Sequence, residues 1–202
     1  MEITKKITPY FLSGGGEMGE LIRTMDWSQS LLGKPEHWPQ NLRTAVSICI
    51  NSRFPMVIWW GSHLIKIYND GYRNLIAAKH PRAMGARGED IQTEIWPVVG
   101  PMIQSVLDTG VAIWSEDQML LVERNGYLEE SYFSFSYSAI CDESGAIGGV
   151  FCAVDETTKR VLSERHLAKQ VNNLFTQASI AICIFRGDNF VVEMANERML
   201  QF

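Results

Sequence analysis

The stretch YFSFSYS, residues 132–138, decides the fold class of this chain. Aromatic side chains alternate here with serines, the aromatics at 133, 135 and 137 and the serines at 134, 136 and 138. Because successive side chains of a β-strand point to opposite faces, this period of two predicts a strand with one apolar and one polar face. We expect the aromatic face to pack against the core of the domain.

The sequence on both sides of this stretch predicts a three-stranded meander. Residues 127–141 form the central strand, and residues 112–124 and 146–154 form its neighbours. The Asn125-Gly126 pair is a typical hairpin turn, because both residue types tolerate a positive φ. A second turn is expected at residues 142–145, where Asp, Ser and Gly follow the central strand.

Two more strands are predicted at the start of the core, at residues 55–61 and 63–68. Between them and the meander, prolines and glycines divide residues 72–110 into short helices, of which 98–107 is the most regular. Asn69 follows the second strand and is expected to cap the first of these helices. The prediction is an α+β fold, with a five-stranded antiparallel sheet and short helices packed on one face.

Helical sequence flanks this core on both sides. The N-terminal residues 1–36 are predicted to form an extension and helical cap, interrupted by a flexible break at residues 13–16 (SGGG). Residues 42–51 have the apolar spacing of an amphipathic helix. After residue 154 the pattern is helical again, and apolar residues recur every seven positions at 161, 168 and 175, as in a short coiled coil.

The end of the chain repeats the hairpin that opens the core. Residues 179–195, followed by Asn196, have the same order of strand, turn, strand and asparagine as residues 55–69. A repeated supersecondary unit indicates tandem domains of one kind. The second copy is too short to close a core, so we expect the sequence to be a piece of a longer protein.

Several of these segments resemble the PAS family of sensory domains. They are YNDGY at residues 68–72, the meander, and DETT at residues 155–158, where that family has an Asp closely followed by a Thr. A narrower resemblance, over residues 14–167, is to the N-terminal PAS region of bacterial PAS sensor histidine kinases. It rests on the segments 15–23, 26–28, 32–33, 60–61, 79–81, 94–96, 129–130 and 133–137.

The resemblance implies a PAS fold and a division of the chain into four parts. Residues 1–36 are the N-terminal extension and cap, and residues 37–158 are a PAS domain. Residues 159–177 are a helical signalling linker, and residues 178–202 are the truncated start of a second PAS domain.

Aromatic side chains are expected to lie between the sheet and the short helices. The ligand-pocket candidates are Tyr68, Asn69, Tyr72, Trp96, Trp114, Phe133, Phe135, Tyr137 and Phe151. Two interpretations stay open. These side chains fill the core, as large apolar residues usually do and as we favour, or they enclose a small ligand with polar contacts from Asn69, Ser134 or Ser136.

Under the resemblance, Asp155 and Thr157 couple the sheet to the helix that leaves it. An Asp and a following Thr at the start of a helix can cap that helix and hydrogen-bond back to the core. We expect replacement of Asp155 to uncouple input from output without unfolding the sheet.

The identity of any cofactor stays unknown from the sequence. Flavin-cysteinyl adduct chemistry requires a Cys in the helical middle, within the family's Asn-Cys-Arg motif, and residues 70–110 contain none. Haem ligation would fall to His80, which stands beside Pro81 in a poor position for it. No cluster has the spacing of metal ligands, so we expect no metal site.

Catalysis by this chain is not expected. No nucleophile with an adjacent base is evident, and His166 lacks the acidic residue that directly follows the phosphoacceptor of a kinase phosphorylation box. Gly14, Gly16 and Gly19 match a GxGxxG pattern, but no βαβ unit surrounds them. We expect the catalytic domain of a histidine kinase to lie in the parent protein, outside this chain.

Composition narrows the partners and the location. A formal net charge of -5 argues against a nucleic-acid surface. No run of ~18 apolar residues is present, so no membrane span is predicted. The N-terminus lacks the features of a signal peptide, and the four cysteines are scattered, which indicates reduced thiols in the cytoplasm.

Two function hypotheses follow from these observations. The first is a sensory PAS module of a bacterial two-component phosphorelay kinase, which binds a small ligand or a partner and relays the signal through its C-terminal helix. Its expected partners are a second copy in a homodimer and the adjacent PAS and kinase domains. The alternative is a ligand-free PAS dimerisation scaffold, with the helix at 42–51 and the stripe at 161–175 as its interface.

Overall fold

The computed structural model describes residues 9–124, 126–142 and 144–201. These residues form two compact units, and the boundary between the units lies between Thr157 and Thr158. Asn125, in the first predicted turn, lies outside the described residues. The sheet, the short helices and the candidate site all belong to the first unit.

A five-stranded antiparallel sheet forms the centre of the first unit. Its strands are β1 (Met56–Trp60), β2 (Ile65–Tyr68), β3 (Ile113–Glu123), β4 (Leu128–Cys141) and β5 (Ile147–Glu156). Their order across the sheet is β2-β1-β5-β4-β3, and every neighbouring pair is antiparallel. The predicted α+β class is confirmed, and the predicted strands differ from these only by one or two residues at their ends.

Aromatic residues and serines alternate in the stretch 132–138, and the structure places them on opposite faces of the sheet. Phe133, Phe135 and Tyr137 are buried on one face, which we call the inner face, and the intervening serines point to the outer face. The register continues the inner face through Cys152, which pairs with Tyr137 on one side and with Val57 on the other. The aromatic stretch therefore lies against the core, as expected.

Two helices precede the sheet: α1 (Gly16–Thr24), which packs against α2 and against α3 (Asp70–Ile76), and α2 (Gln40–Asn51), which packs on the sheet. All four residues of β2 are buried, which requires cover on both faces of this edge. Ala45 and Ile48 of α2 line a shallow groove together with Phe151, a residue of the outer face. An N-terminal helical cap is therefore present, and its helix α2 packs on the face opposite to the one occupied by the short helices.

The segment predicted as a flexible break, residues 13–16, forms a turn that leads into α1. Gly14, Gly15 and Gly16 all have positive φ, of 78°, 76° and 55°, a conformation that glycine adopts without steric cost, and they lead directly into α1. The carboxylate of Asp70 then accepts hydrogen bonds from the backbone N–H groups of Met18 (2.7 Å) and Glu17 (3.2 Å). The glycines therefore form an ordered turn that brings the start of α1 to Asp70.

Three helices between β2 and β3 cover the inner face: α3 (Asp70–Ile76), α4 (Gly88–Ile91) and α5 (Trp96–Thr109). Asn69 caps α3, because its Oδ1 accepts a hydrogen bond from the N–H of Tyr72 at 3.0 Å. Gly110 ends α5 with a φ of 70°. This helical layer closes the core over the aromatic residues of β4.

The second unit contains α6 (Thr158–Gln177) and a two-stranded hairpin of β6 (Cys183–Arg186) and β7 (Val191–Ala195). Asn196 follows this hairpin as Asn69 follows the β1–β2 hairpin. Asn69 Oδ1 accepts from the N–H of Met56, 13 residues earlier, and Asn196 Oδ1 accepts from the N–H of Ile182, 14 residues earlier, both at 3.0 Å. The repeat seen in the sequence is therefore also a repeat of hydrogen bonds.

The described part of the chain contains no helix with the length and apolar character needed to cross a membrane.

Candidate functional site

An apolar cavity lies between the inner face of the sheet and the helices that cover it. Its volume is about 50 Å³. The lining side chains come from four strands, from α3 and α5, and from the segment between α4 and α5: Trp59, Tyr72, Leu75, Ile76, Gln92, Ile95, Val99, Leu120, Val122, Phe133, Phe135, Tyr137, Cys152 and Val154. One water needs roughly 10–15 Å³ of such space, so the cavity holds a molecule of about three to five non-hydrogen atoms.

Four of the predicted pocket residues line this cavity. Phe133, Phe135 and Tyr137 project from β4, and Tyr72 projects from α3. The rings of Phe135 and Tyr137 are 4.8 Å apart between centroids. These aromatic side chains fill most of the space, and the cavity is what remains between them.

Two predicted pocket residues lie on the outer face instead. Trp114 pairs with Ser136, so its side chain points away from the core and is 65% exposed. Phe151 pairs with Ile58 and Ser138, which places it in the outer groove beside α2. Ser134 and Ser136, considered as polar contacts, also point outward. The prediction selected aromatic residues by composition, whereas the strand register decides which face each one occupies.

The remaining three predicted pocket residues are buried or half-buried outside the cavity lining. Tyr68 hydrogen-bonds His80 Nδ1 at 3.0 Å. The Nδ2 of Asn69 donates to three carbonyl groups, one in the last turn of α2 and two between α2 and β1, at 2.7–3.1 Å. The ring of Trp96 packs so closely on Gly88 that a Cβ there would lie 2.7 Å from it. These three residues hold the walls of the domain together.

Three cavity-lining residues carry hydrogen-bond donors that have no partner among the described residues. They are Nε1 of Trp59, which is fully buried, Nε2 of Gln92 and the hydroxyl of Tyr137. Trp59 and Tyr137 are in edge-to-face contact, with 5.5 Å between their ring centroids. A buried donor is nearly always paired in a folded protein, so the unpaired Nε1 of Trp59 makes this group a candidate for recognition of an acceptor.

A fully buried lysine is hydrogen-bonded to Gln92, one of the three residues that carry these donors. Lys66 of β2 is the cross-strand partner of Trp59 on β1, on the inner face. Its Nζ donates to Oε1 of Gln92 and to the hydroxyl of Tyr72 (3.4 Å), and it lies 4.9 Å from the centroid of the Tyr72 ring. Burial, with a smaller contribution from the positive charge of Lys79, lowers the pKa of Lys66 to about 7.

The neighbouring carboxylate is already engaged. Glu94 forms a buried ion pair with Lys79, and its Oε1 also accepts a hydrogen bond from the backbone N–H of Glu123 at 3.4 Å. Burial raises the pKa of Tyr72 and of Cys152, so both stay neutral. The groups directly bonded to Lys66 are therefore uncharged.

The sequence prediction missed Trp59, Lys66 and Gln92. The signal for Lys66 was present, because a charged residue stands inside the apolar run IKIY at residues 65–68. Lys66 is buried because other elements pack on both faces of this edge of the sheet. The alternation of residues along a four-residue strand does not predict such packing. Gln92 lies in the irregular segment just after α4, whose direction the sequence does not define.

Comparisons with known proteins give structural similarity without close sequence relatives. No family model matches the chain, and no curated protein matches it. A solved RNA-binding light-oxygen-voltage receptor is 15% identical, with a TM-score of 0.47 over 60% of this chain and 35% of the receptor chain. The chain thus aligns with about a third of that receptor.

Two further structures are similar at the same low level. A sensory box sensor histidine kinase from Vibrio cholerae is 16% identical, with a TM-score of 0.39 over 51% of this chain and 77% of the other. The PAS domain of a protein from Colwellia psychrerythraea is 13% identical, with a TM-score of 0.45 over 58% and 98% of the two chains. All three TM-scores are below 0.5, so the topology of the sheet carries the fold assignment.

That topology is decisive. A hairpin is followed by three short helices and a three-stranded meander, all strands join one antiparallel sheet, and the helices cover its inner face. This is the architecture implied by the sequence resemblance. The first unit has the PAS fold.

The exit from the PAS domain is held by a contact between Thr157, a predicted coupling residue, and Asp117, which the sequence did not indicate. Thr157 donates its hydroxyl to Oδ1 of Asp117 at 2.6 Å, and its N–H to the carbonyl of Tyr132 at 2.8 Å. Asp155, the other predicted coupling residue, is exposed in β5 and pairs with Ser134. Of the two predicted residues, Thr157 makes the contacts back to the core.

Among the described residues, no group of three or more His, Cys, Asp or Glu side chains is placed to bind a metal ion.

Proposed function

We propose that this chain is a sensory PAS module that binds a small molecule in its apolar cavity and relays the binding through the exit of β5. The observation that carries the proposal is the cavity of about 50 Å³, one of whose lining residues, Trp59, has a buried donor without a partner among the described residues. An apolar cavity with a few polar groups is the general form of a small-molecule site.

The route of the relay follows β5. Cys152 and Val154 of this strand line the cavity, and the same strand leads within three residues to Thr157. A ligand that favours one arrangement of β5 over another would bias the Thr157–Asp117 contact and, through it, the start of α6. Such coupling requires unequal affinity for the two arrangements, since equal affinity shifts no population.

The parent protein that we propose is a bacterial two-component sensor histidine kinase, located in the cytoplasm. The support is the sequence resemblance over residues 14–167. In that context this chain binds and relays, and phosphotransfer belongs to a catalytic domain elsewhere in the parent. The hairpin of the second unit, with Asn196 in the role of Asn69, supports a second PAS domain in tandem.

Native mass spectrometry of the 202-residue chain tests the ligand proposal. We expect an added mass that is reproducible and that disappears on denaturation. The mass should correspond to a small molecule, since the cavity accepts about three to five non-hydrogen atoms. A chain that remains free of ligand after incubation with cytoplasmic small-molecule extracts would contradict the sensor function.

A dimerisation scaffold is the second candidate, and α6 gives it a specific observation. Four large apolar side chains of this helix are exposed: Leu162, Leu167, Val171 and Leu174. Exposed apolar residues along one helix are typical of a helix that pairs with another. Sedimentation equilibrium distinguishes the scaffold, because Leu167→Glu combined with Leu174→Glu should turn a dimer into a monomer. A wild-type chain that is monomeric would contradict it.

A further inference from the structure

The hydrogen-bond donors of Trp59, Gln92 and Tyr137 line the cavity, and the buried amine of Lys66 is bonded to Gln92. Together they restrict the chemistry of the ligand. The inference drawn here rests on the proposed sensor function and names the class of molecule that the cavity selects. It depends on four properties of the site: the donors on its wall, the charge of its surroundings, its size, and the bond that links the amine to the wall.

The wall of the cavity offers more strong donors than strong acceptors, and the hydroxyl of Tyr137 can act as either. Trp59 Nε1 can only donate, and Oε1 of Gln92 is occupied by Lys66 and by the hydroxyl of Tyr72, which leaves Nε2 of Gln92 as a donor. The hydroxyl of Tyr137 is available as a third donor. A ligand that satisfies all three must bring several acceptor lone pairs on few atoms. A carboxylate does so, because its two oxygens have about four acceptor positions.

The charge of the surroundings favours an anion over a neutral acceptor. When Lys66 is protonated, its direct partners are neutral, and Glu94, a carboxylate whose charge acts on Lys66, is paired with Lys79. The buried cluster then has one positive charge without a counterion. Burying an unpaired charge is costly, so a bound anion stabilises the protonated amine, and the protonated amine stabilises the anion.

Gln92 links the amine to the cavity. Its Oε1 accepts the hydrogen bond of Lys66, and its Nε2 belongs to the same planar amide on the cavity wall. Protonation of Lys66 polarises this amide and makes Nε2 a stronger donor, because hydrogen bonds in a chain reinforce one another. Lys66 is therefore a positioning residue that acts through Gln92, without touching the ligand itself.

We propose that the cavity binds a short-chain monocarboxylate, whose carboxylate accepts hydrogen bonds from Trp59, Gln92 and Tyr137 and whose binding is coupled to protonation of Lys66. The apolar remainder of the wall, from residues such as Val99, Val122 and Val154, surrounds the short alkyl tail. The volume admits about three to five non-hydrogen atoms, which corresponds to acetate or propionate.

The pH dependence has a defined direction. Lys66 of the ligand-free domain loses its proton near pH 7, and an anion raises its pKa, so binding takes up a proton above pH 7. The charged or titratable groups that face Lys66 are Lys79, Glu94, Tyr72 and Cys152. The tyrosine and the thiol stay neutral between pH 6.5 and 8.5, because burial raises the pKa of both. Affinity should therefore fall by about tenfold between pH 6.5 and 8.5.

The experiment is a titration of the full chain, labelled with ¹⁵N, with sodium propionate at constant ionic strength. The indole N–H resonance of Trp59, assigned with Trp59→Phe, should move and saturate, with about tenfold weaker affinity at pH 8.5 than at pH 6.5. Propionamide, which has the same shape without the charge, should bind without this pH dependence. In Lys66→Met the pH dependence of propionate binding should disappear.

Calorimetry of the wild-type chain gives an independent measure that needs no variant. Titrations in two buffers of different ionisation enthalpy should show net proton uptake when propionate binds at pH 8.

A Trp59 resonance that does not move, or propionate affinity that is the same at both pH values, overturns the inference. If propionate fails while native mass spectrometry finds a neutral ligand, the sensor function stands and the carboxylate class is wrong. If both experiments find nothing, the sensor function fails as well.

Discussion

Thr157 donates its hydroxyl hydrogen bond to the carboxylate of Asp117, 40 residues earlier in the chain, at 2.6 Å. Asp117 lies where the register of β3 shifts between Ser115 and Gln118, and its φ is +48°. Such a bulge redirects a side chain that a regular strand would point elsewhere. The contact therefore joins the edge strand β3 to the end of β5, at the last residue of the PAS domain.

A double-mutant cycle measures the strength of this contact. We expect Asp117→Asn and Thr157→Val to be coupled by about 1 kcal/mol in the free energy of unfolding, because the two side chains share one hydrogen bond to a charged acceptor. Asn tolerates the positive φ at this position, so the change leaves the backbone of the bulge intact. Urea unfolding of the four proteins gives the coupling, and additive effects would show that the contact contributes nothing.

Asp155→Ala is the matched control for that cycle. Its side chain is exposed in β5, so we expect its unfolding free energy to stay within about 0.5 kcal/mol of wild type. In a full-length kinase, the same variant tests the relay that the sequence resemblance implies for Asp155. A normal output response in Asp155→Ala, together with a lost response in Thr157→Val, would assign the coupling to Thr157 alone.

Asn69 and Asn196 form a second matched pair. Asn69→Ala removes five hydrogen bonds of a fully buried side chain, which should destabilise the PAS domain by about 3 kcal/mol or more. Asn196→Ala removes the corresponding bonds of the second unit and should leave the PAS domain unchanged. Tryptophan fluorescence distinguishes the two, because all six tryptophans precede Thr157. Equal destabilisation by both variants would contradict this division of roles.

The sequence predicted the sheet well, because its evidence is local. Alternation along residues 132–138 defines a strand and its apolar face, and Gly110 and Asn69 mark helix ends by their own chemistry. The cavity was harder to predict, because the position of each lining residue depends on register between strands. Trp114 and Tyr137 are both aromatic residues of predicted strands, yet only Tyr137 lies on the inner face. Asp117 acquires its role from a bulge, for which the period of the sequence gives no signal.

The buried amine of Lys66 predicts how stability changes with pH. Its pKa is lowered to about 7 in the folded domain from 10.5, so the unfolded chain binds more protons between these values, and stability rises as the pH increases above 7. Between pH 7 and 8.5 the gain should be on the order of 2 kcal/mol. Burial raises the pKa of Cys49 to about 12, and the ionisation of this thiol in the unfolded chain opposes the trend at higher pH.

The difference between wild type and Lys66→Met isolates this contribution, because both proteins contain the same cysteines and tyrosines. We expect the wild-type curve of unfolding free energy against pH to rise relative to that of the variant between pH 7 and 8.5. Urea unfolding at a series of pH values provides both curves. Parallel curves would mean that Lys66 keeps an ordinary pKa in the folded domain.

Filling the cavity separates a binding site from a packing defect. Val99 lines the cavity, whereas its neighbour Val98 is 39% exposed on the same helix. Val99→Ile adds one methylene to the cavity and should change stability by no more than about 0.8 kcal/mol, in the stabilising direction if the added group fits without strain. The same methylene occupies space that a ligand of a few atoms requires, so ligand occupancy in native mass spectra should fall at least about tenfold, as a loss of about 1.4 kcal/mol in affinity implies.

Val98→Ile adds the same group at the surface and should alter neither stability nor ligand occupancy. Retention of full ligand occupancy by Val99→Ile would place the ligand outside this cavity.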